Sequence, residues 1–285
     1  MRKTFIGLLL LLSGNMLLAG GHEVLGENHI LRNHKITGEH KVPGEHKVPF
    51  SVGEKLRYAI YAKGWKVGFQ YIELESLQEY DGVPVYLVRG LSKTTALLSI
   101  FYRLNDKWSI YMDSSSLLPL RVEKDWQEGK KEGYYVYDID QGGKTVILQN
   151  MVSGKRKTIN AKNSIFDLFS LTYYYRVNHA EFNDTYTFDF LESRSVSTVY
   201  FRNEGIKEIR IPEISVTQMF SVRKLKQIGD VGIEIYISND HLSLPLKIIA
   251  PSELPKNKVL DIEFIIDTYE PGPGITDIPW VYRLL

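Results

Sequence analysis

Few residues in this chain have the types and spacing that chemistry needs. Of seven histidines, five fall in residues 22–49, where Gly38-Glu39-His40-Lys41-Val42-Pro43 is followed at once by Gly44-Glu45-His46-Lys47-Val48-Pro49. In an extended chain His40 and His46 lie roughly 19 Å apart at about 3.1 Å per residue. A shared zinc needs both imidazole nitrogens about 2 Å from the metal. A fold-back at Pro43-Gly44 would join them, with Glu39 or Glu45 as a third ligand, but nothing in the repeat preorganises such a site. The remaining histidines are His179 and His241. Asp240-His241 follows Ser238 closely, yet a catalytic triad is a matter of geometry that adjacency does not supply. Asn239-Asp240 reads as a turn. The carboxylate pairs Glu73/Glu75 and Asp261/Glu263 each share a strand face at a separation of about 7 Å. That loosely fits a two-carboxylate glycosidase, but a solvent-facing side of each strand is the simpler account. Gly-x-Ser-x-Gly, His-Glu-x-x-His and a glycine-rich phosphate loop are all absent from the sequence. No catalytic residue, cofactor or metal is assigned, and the chain is expected not to be an enzyme.

Apolar and aromatic residues line up more tellingly. Phe69 and Tyr71 share a face, as do Leu118, Leu120, Val122 and Trp126; Trp108, Ile110 and Met112 form a third set. Tyr186, Phe188 and Phe190 form another, and so do Val231, Ile233, Ile235 and Ile237. In a sandwich these faces are the core. In a half-closed barrel the same faces line a cavity for an acyl chain or other apolar ligand. Alternation alone does not separate the two, because both require the same inward residues. The candidate ligand-binding residues are Phe69, Tyr71, Trp108, Trp126, Tyr173 and Tyr174.

The elements that position these residues are mainly strands. Eighteen tyrosines and 12 phenylalanines in 285 residues, with abundant Val and Ile, form a β-sheet palette. From Phe50 onward the period is two: Leu56, Tyr58, Ile60 and Ala62 alternate with polar neighbours, and Lys63-Gly64 and Asp81-Gly82 mark turns. Further strands are predicted at 67–77, 83–91, 107–112, 118–126, 134–139, 145–149, 186–191, 196–201, 214–225, 231–238, 244–249 and 259–268. One segment departs from this period. Ser164 with Asp167 suggests a capping box, and Ile165, Phe166, Leu168, Phe169, Leu171 and Thr172 recur at helical spacing, predicting a helix over 164–177. The expected fold is mainly β: a large antiparallel curved sheet or half-open barrel, with the helix across its open side.

Residues 1–21 have the layout of a secretory signal peptide: Arg2-Lys3, an apolar run, then Ala19-Gly20-Gly21. Residues 22–49 read as a flexible tether and 50–285 as a single domain. The absence of cysteine rules out disulfides and thiol chemistry. With His22 after the cut, a lipid-bearing cysteine is also missing, so the expectation is an exported, most simply periplasmic protein that is not a lipoprotein. No stable membrane span is expected after cleavage. Thirty-five basic against 34 acidic residues argue against a nucleic-acid partner.

The order of motifs resembles a bacterial exported family, domain of unknown function 3108. The resemblance runs through Phe50-x-Val52-Gly53-Glu54-x-Leu56-x-Tyr58, Val67-Gly68-Phe69 and Tyr111-Met112-Asp113 with Leu118-Pro119-Leu120. It continues through Asp167-x-Phe169-Ser170, Tyr173-Tyr174-x-Arg176, Ser238-x-Asp240 and Leu244-Pro245-Leu246, covering roughly residues 50–268. It implies an envelope-associated, antiparallel β protein, similar in outline to half-barrel lipid carriers, and brings no catalytic residues. Tyr173 and Tyr174 are expected to pack, with Arg176 capping the helix C-terminus, unless they serve a ligand. The leading expectation is a non-catalytic binding or carrier protein for an apolar, lipid-like ligand. A structural or protein-interaction component of the envelope, engaging an envelope protein partner, is the alternative.

Overall fold

The computed structural model describes residues 33–35, 48–179, 181–229, 232–254, 258–280 and 282. In chain order the strands are β1 (Asn33–Lys35), β2 (Lys55–Ala62), β3 (Trp65–Tyr80), β4 (Val83–Thr94), β5 (Asn105–Asp113), β6 (Pro119–Glu128), β7 (Lys131–Asp140) and β8 (Thr145–Asn150). They continue as β9 (Arg156–Asn160), β10 (Ile165–Phe166), β11 (Thr185–Leu191), β12 (Val196–Arg210), β13 (Met219–Gln227), β14 (Glu234–Ser238), β15 (Pro245–Leu254) and β16 (Lys258–Glu270). Helix α1 (Ala96–Ser99) lies between β4 and β5, and helix α2 (Leu168–Val177) follows β10.

All the strands join one sheet ordered β1-β11-β12-β13-β14-β15-β16-β2-β3-β4-β5-β6-β7-β8-β9, with β10 beside β11. This is the open curved antiparallel sheet that the alternation implies. The turns are chemically specified. Lys63 and Gly64 have φ of 52° and 74°, and Asp81 and Gly82 have 49° and 77°. Two consecutive positive φ values suit the twist of a tight hairpin. Between the β9 edge and β11, side chains bridge the gap: Gln141 donates to the Ile165 carbonyl at 2.8 Å and accepts from its N–H at 3.0 Å. Tyr137 Oη donates to the Ser193 carbonyl at 3.0 Å.

The convex face carries cross-strand ion pairs, including Arg57–Asp267 at 2.6 Å, Arg121–Asp138 at 2.8 Å and Lys247–Glu263 at 2.5 Å. Glu75 meets Arg89 on this same side. The carboxylates that suggested a glycosidase therefore sit in a charged outer ladder. A spanning barrel would present an apolar band there.

The concave face is buried around α2. Phe166, Tyr175, Phe188 and Phe201 interlock, with Phe166–Phe188 at 5.4 Å and Phe188–Phe201 stacked at 5.8 Å. At Gly90 α2 approaches the sheet closely, since a Cβ there would overlap the tip of the Phe169 ring.

Several boundaries differ from the sequence reading. The helix begins at Leu168 rather than at 164, because Ile165 and Phe166 form β10, parallel to Asp189 and Phe190 of β11. Its cap is Asp167, whose Oδ1 accepts from Phe169 N–H at 2.8 Å and Ser170 N–H at 3.2 Å. Ser170 Oγ in turn accepts from Asp167 N–H at 3.2 Å, so the capping box is Asp167/Ser170 and not Ser164/Asp167. Strand β13 starts at Met219, later than the expected 214, and β14 at Glu234, later than 231. Strand β9, almost wholly exposed, lacks the alternation that reveals a half-buried strand. Within the supposed tether, Asn33–Lys35 pair in parallel with Thr185–Thr187. The signal segment 1–21, His40 and His46 lie outside the described residues.

Candidate functional site

Inward positions of β2 to β5 fall in rows fixed by register. Tyr58 faces Gln70, Gln70 faces Ser92, and Ser92 faces Asp106. All four are buried, so a polar row crosses an otherwise apolar interior. The next row holds Ile72, Gly90, Trp108 and Lys124.

Between these rows and α2 lies a cavity of about 80 Å3, lined by Tyr58, Gln70 and Ser92 on one side and by Leu168, Leu171 and Tyr175 on the other. Trp108, Phe190, Val199 and Phe264 add to its apolar wall. Three polar atoms of lining residues are buried with no hydrogen-bond partner among the described residues: Tyr58 Oη, Asp167 Oδ2 and Tyr175 Oη. Burial raises the pKa of all three groups; at Asp167 the cap hydrogen bonds oppose that rise only in part. Asp167 starts the helix and Tyr175 lies eight residues on. At about 1.5 Å per residue they are roughly 12 Å apart along its axis.

At the far end of α2, Arg176 forms a two-pronged ion pair with Glu54, at 2.6 and 2.9 Å. It also donates to the Leu242 carbonyl at 3.1 Å and the Pro49 carbonyl at 2.8 Å. Burial works against its charge, and Glu54 more than offsets this, so its pKa is raised. Arg176 therefore does not cap its own helix; it ties α2 to the segment before β2 and to the β14–β15 turn. Beside β5, Lys124 Nζ lies 3.1 Å from Asp106, with Trp108 under the ammonium. Burial lifts Asp106 to about 7 and lowers Lys124.

The histidines do not build a triad. His179 Nε2 lies 3.2 Å from the Arg176 carbonyl and 3.3 Å from Ser243 Oγ. A carbonyl oxygen only accepts, so Nε2 carries the hydrogen and has no lone pair to take the serine proton. Burial and the charge of Arg223 lower the His179 pKa. His241 is exposed. Asp240 is a turn anchor, accepting from Ser238 Oγ at 3.0 Å, Leu242 N–H at 3.0 Å and Tyr282 Oη at 2.7 Å.

Of the sequence-predicted ligand residues, Trp108 lines the cavity. Phe69 and Tyr71 lie on the other face of β3, where Lys66 sits over the Phe69 ring and Lys93 over the Tyr71 ring. Trp126 stacks on Tyr135 at 6.1 Å, against Gly133. Tyr173 packs on Phe50 at 4.9 Å and Tyr174 on Phe166 at 4.8 Å, both buried in the frame around the cavity. Sequence reasoning did not single out Gln70, Ser92 or Tyr175, and it placed Asp167 in a helix cap and a family motif, not among the ligand residues. The available signal was parity: Gln70 shares the inward phase of Ile72 and Leu74.

The family described as "Protein of unknown function (DUF3108)" matches residues 57–259, and the chain belongs to that family. No curated protein matches the chain. Among solved structures, a β-barrel-like protein of domain of unknown function DUF1849 from Brucella abortus matches with a TM-score of 0.43 and 7% identity. That match covers 79% of this chain and 100% of the other. A protein from Bacteroides fragilis, described as exported and of YmcC-like fold, matches with a TM-score of 0.32 and 10% identity over 78% and 97% of the two chains.

Proposed function

We propose that this DUF3108 protein is an exported, non-catalytic envelope protein that binds or carries an apolar, lipid-like ligand between α2 and the concave face of the sheet. The observation behind this reading is an apolar cavity whose lining includes Tyr58, Asp167 and Tyr175, each with a buried polar atom that has no hydrogen-bond partner among the described residues. Each unpaired buried group costs about 1–3 kcal/mol, so an occupant that pairs with them is favoured. Tyr58 and Tyr175 offer O–H donors, and Asp167 is shifted toward its protonated, donating form. A carbonyl or ester oxygen at the head of an acyl chain is a matching acceptor, whereas an anionic head would be desolvated without a counter-charge.

The cavity of about 80 Å3 takes roughly six water-sized groups, at 10–15 Å3 for each. It therefore suits a stretch of acyl chain rather than a whole lipid. Burial of that chain contributes about 25 cal/mol per Å2 before association costs are subtracted. Export to the periplasm rests on the layout of residues 1–21. The alternative of an interaction component draws support from the tightly packed rings around Tyr175 and Phe188, and it predicts that water alone satisfies the three polar atoms.

The test is mass spectrometry of solvent extracts from protein purified out of its native host. Acyl lipid stoichiometric with the chain is expected, and Val199→Trp, which fills the cavity, should abolish it. Ligand-free protein that also fails to take up a fluorescent fatty ester overturns the carrier reading.

A further inference from the structure

Consecutive strands of an antiparallel sheet turn at alternate ends. The connections 63–64, 95–104, 129–130 and 151–155 therefore all lie at one end of the β2–β9 half of the sheet. This end is unusual in two ways. Trp65, Leu97, Ile100 and Phe101 are 79%, 71%, 76% and 79% exposed, and Met151 and Val152 are exposed as well. The connections at the other end of these strands, 81–82, 114–118 and 141–144, expose no large apolar side chain. These four connections also contain Lys63, Arg103, Lys130 and Lys155 and no Asp or Glu. None of those four cations is paired with a carboxylate among the described residues.

Trp65, Leu97, Ile100 and Phe101 are held in one neighbourhood. Thr94 is opposite Gly68, and Thr95 N–H donates to the Val67 carbonyl at 3.0 Å, so segment 95–101 starts beside Trp65. Leu98 turns inward against the core while Leu97, Ile100 and Phe101 face out. Gly129 N–H donates to the Arg103 carbonyl at 2.7 Å, which joins the β6–β7 turn to the same segment.

We propose that this rim docks on the surface of an anionic lipid bilayer, its aromatic and aliphatic tips entering the headgroup region and Lys63, Arg103, Lys130 and Lys155 meeting lipid phosphates. Exposed aromatic and aliphatic side chains set among cations are the chemistry of interfacial binding. Three of the four cations are lysines, a residue that protein–protein interfaces disfavour. The surface does not rest on the ligand reading, because docking is measured whether or not the cavity is filled.

The chain has no cysteine, so a single introduced thiol reports its own surroundings. Phe101→Cys and, at the opposite end, Ser115→Cys are each labelled in the full chain with an environment-sensitive fluorophore. They are then mixed with phosphatidylglycerol or phosphatidylcholine vesicles. A blue shift is expected at 101 and not at 115, with phosphatidylglycerol favoured. Each of Lys63→Gln and Lys130→Gln should weaken vesicle binding about fivefold. Trp65→Ser with Ile100→Ser should weaken it about tenfold or more. These exposed substitutions should leave the melting temperature unchanged. Equal shifts at 101 and 115, no shift at either, no preference for the anionic lipid, or a protein dimer that Trp65→Ser dissociates would each overturn the proposal.

Discussion

Replacing Arg176 by methionine should be among the most damaging single changes in the molecule. Its side chain and that of Glu54 are both 0% exposed, and the guanidinium makes two bonds to the carboxylate and two more to the Leu242 and Pro49 carbonyls. Removing one partner of such a pair leaves the other as an uncompensated buried charge, at a cost of about 3–5 kcal/mol. Each 1 kcal/mol lowers the melting temperature of a domain this size by about 2–4 °C, so Arg176→Met should lower it by roughly 6–20 °C. Glu54→Leu should fall in the same range. The double variant should recover part of the loss, because an apolar pair of similar volume has no stranded charge. Thermal and urea unfolding of the parent, both single variants and the double variant complete the cycle. A single variant within about 2 °C of the parent, or a double variant whose loss equals the two single losses added, would refute the reasoning.

Gly90→Ala should destabilise by about 1–3 kcal/mol, because the new methyl meets the Phe169 ring. In the Phe169→Leu background the same change should cost less, and equal costs in the two backgrounds would falsify the contact. Asp106 in the folded chain titrates near 7, above about 3.9 for an unfolded aspartate. The folded form therefore holds the extra proton between these values, and the stability from this group is complete below about pH 4 and lost as pH rises toward 7. Asp106→Asn should flatten that part of the stability profile, and parent and variant profiles that run parallel from pH 4 to 7 would defeat the assignment.

Much of the frame was legible because it follows from period and punctuation. Leu56, Tyr58, Ile60 and Ala62 alternate in sequence and are all buried on one face of β2. Lys63-Gly64 and Asp81-Gly82 turn with positive φ at both residues, which glycine adopts freely and aspartate tolerates. What escaped depends on partners distant in sequence. Ile165 and Phe166 have helical spacing, but β11 lies within reach to pair with them and converts them to strand. Phe69 and Tyr71 are larger and more apolar than Gln70, and residue type alone favoured them for a ligand. Register places Gln70 inward, and the charged Lys66 and Lys93 hold the two rings on the convex side.

The motifs that carry the family resemblance turn out to be the joints of this frame. Glu54 and Arg176 lock α2 to the start of the sheet, Asp167 and Ser170 close the helix cap, and Ser238 and Asp240 shape the β14–β15 turn. Each joint is made within the chain, so this dispersed set of residues holds the fold together. Asp167 is the exception that links joint to cavity: Oδ1 serves the cap while Oδ2 has no partner among the described residues. A frame fixed elsewhere leaves the cavity wall and the basic apolar rim free to differ without loss of the fold. Ligand choice should accordingly be set by cavity residues such as Gln70, Ser92 and Val199, and membrane choice by the 95–101 segment with Lys63, Arg103, Lys130 and Lys155. Exchanging those residues between two members of the family should transfer lipid preference while leaving the melting temperature near that of the recipient. A transfer of preference that instead required the Glu54–Arg176 joint would place recognition in the frame.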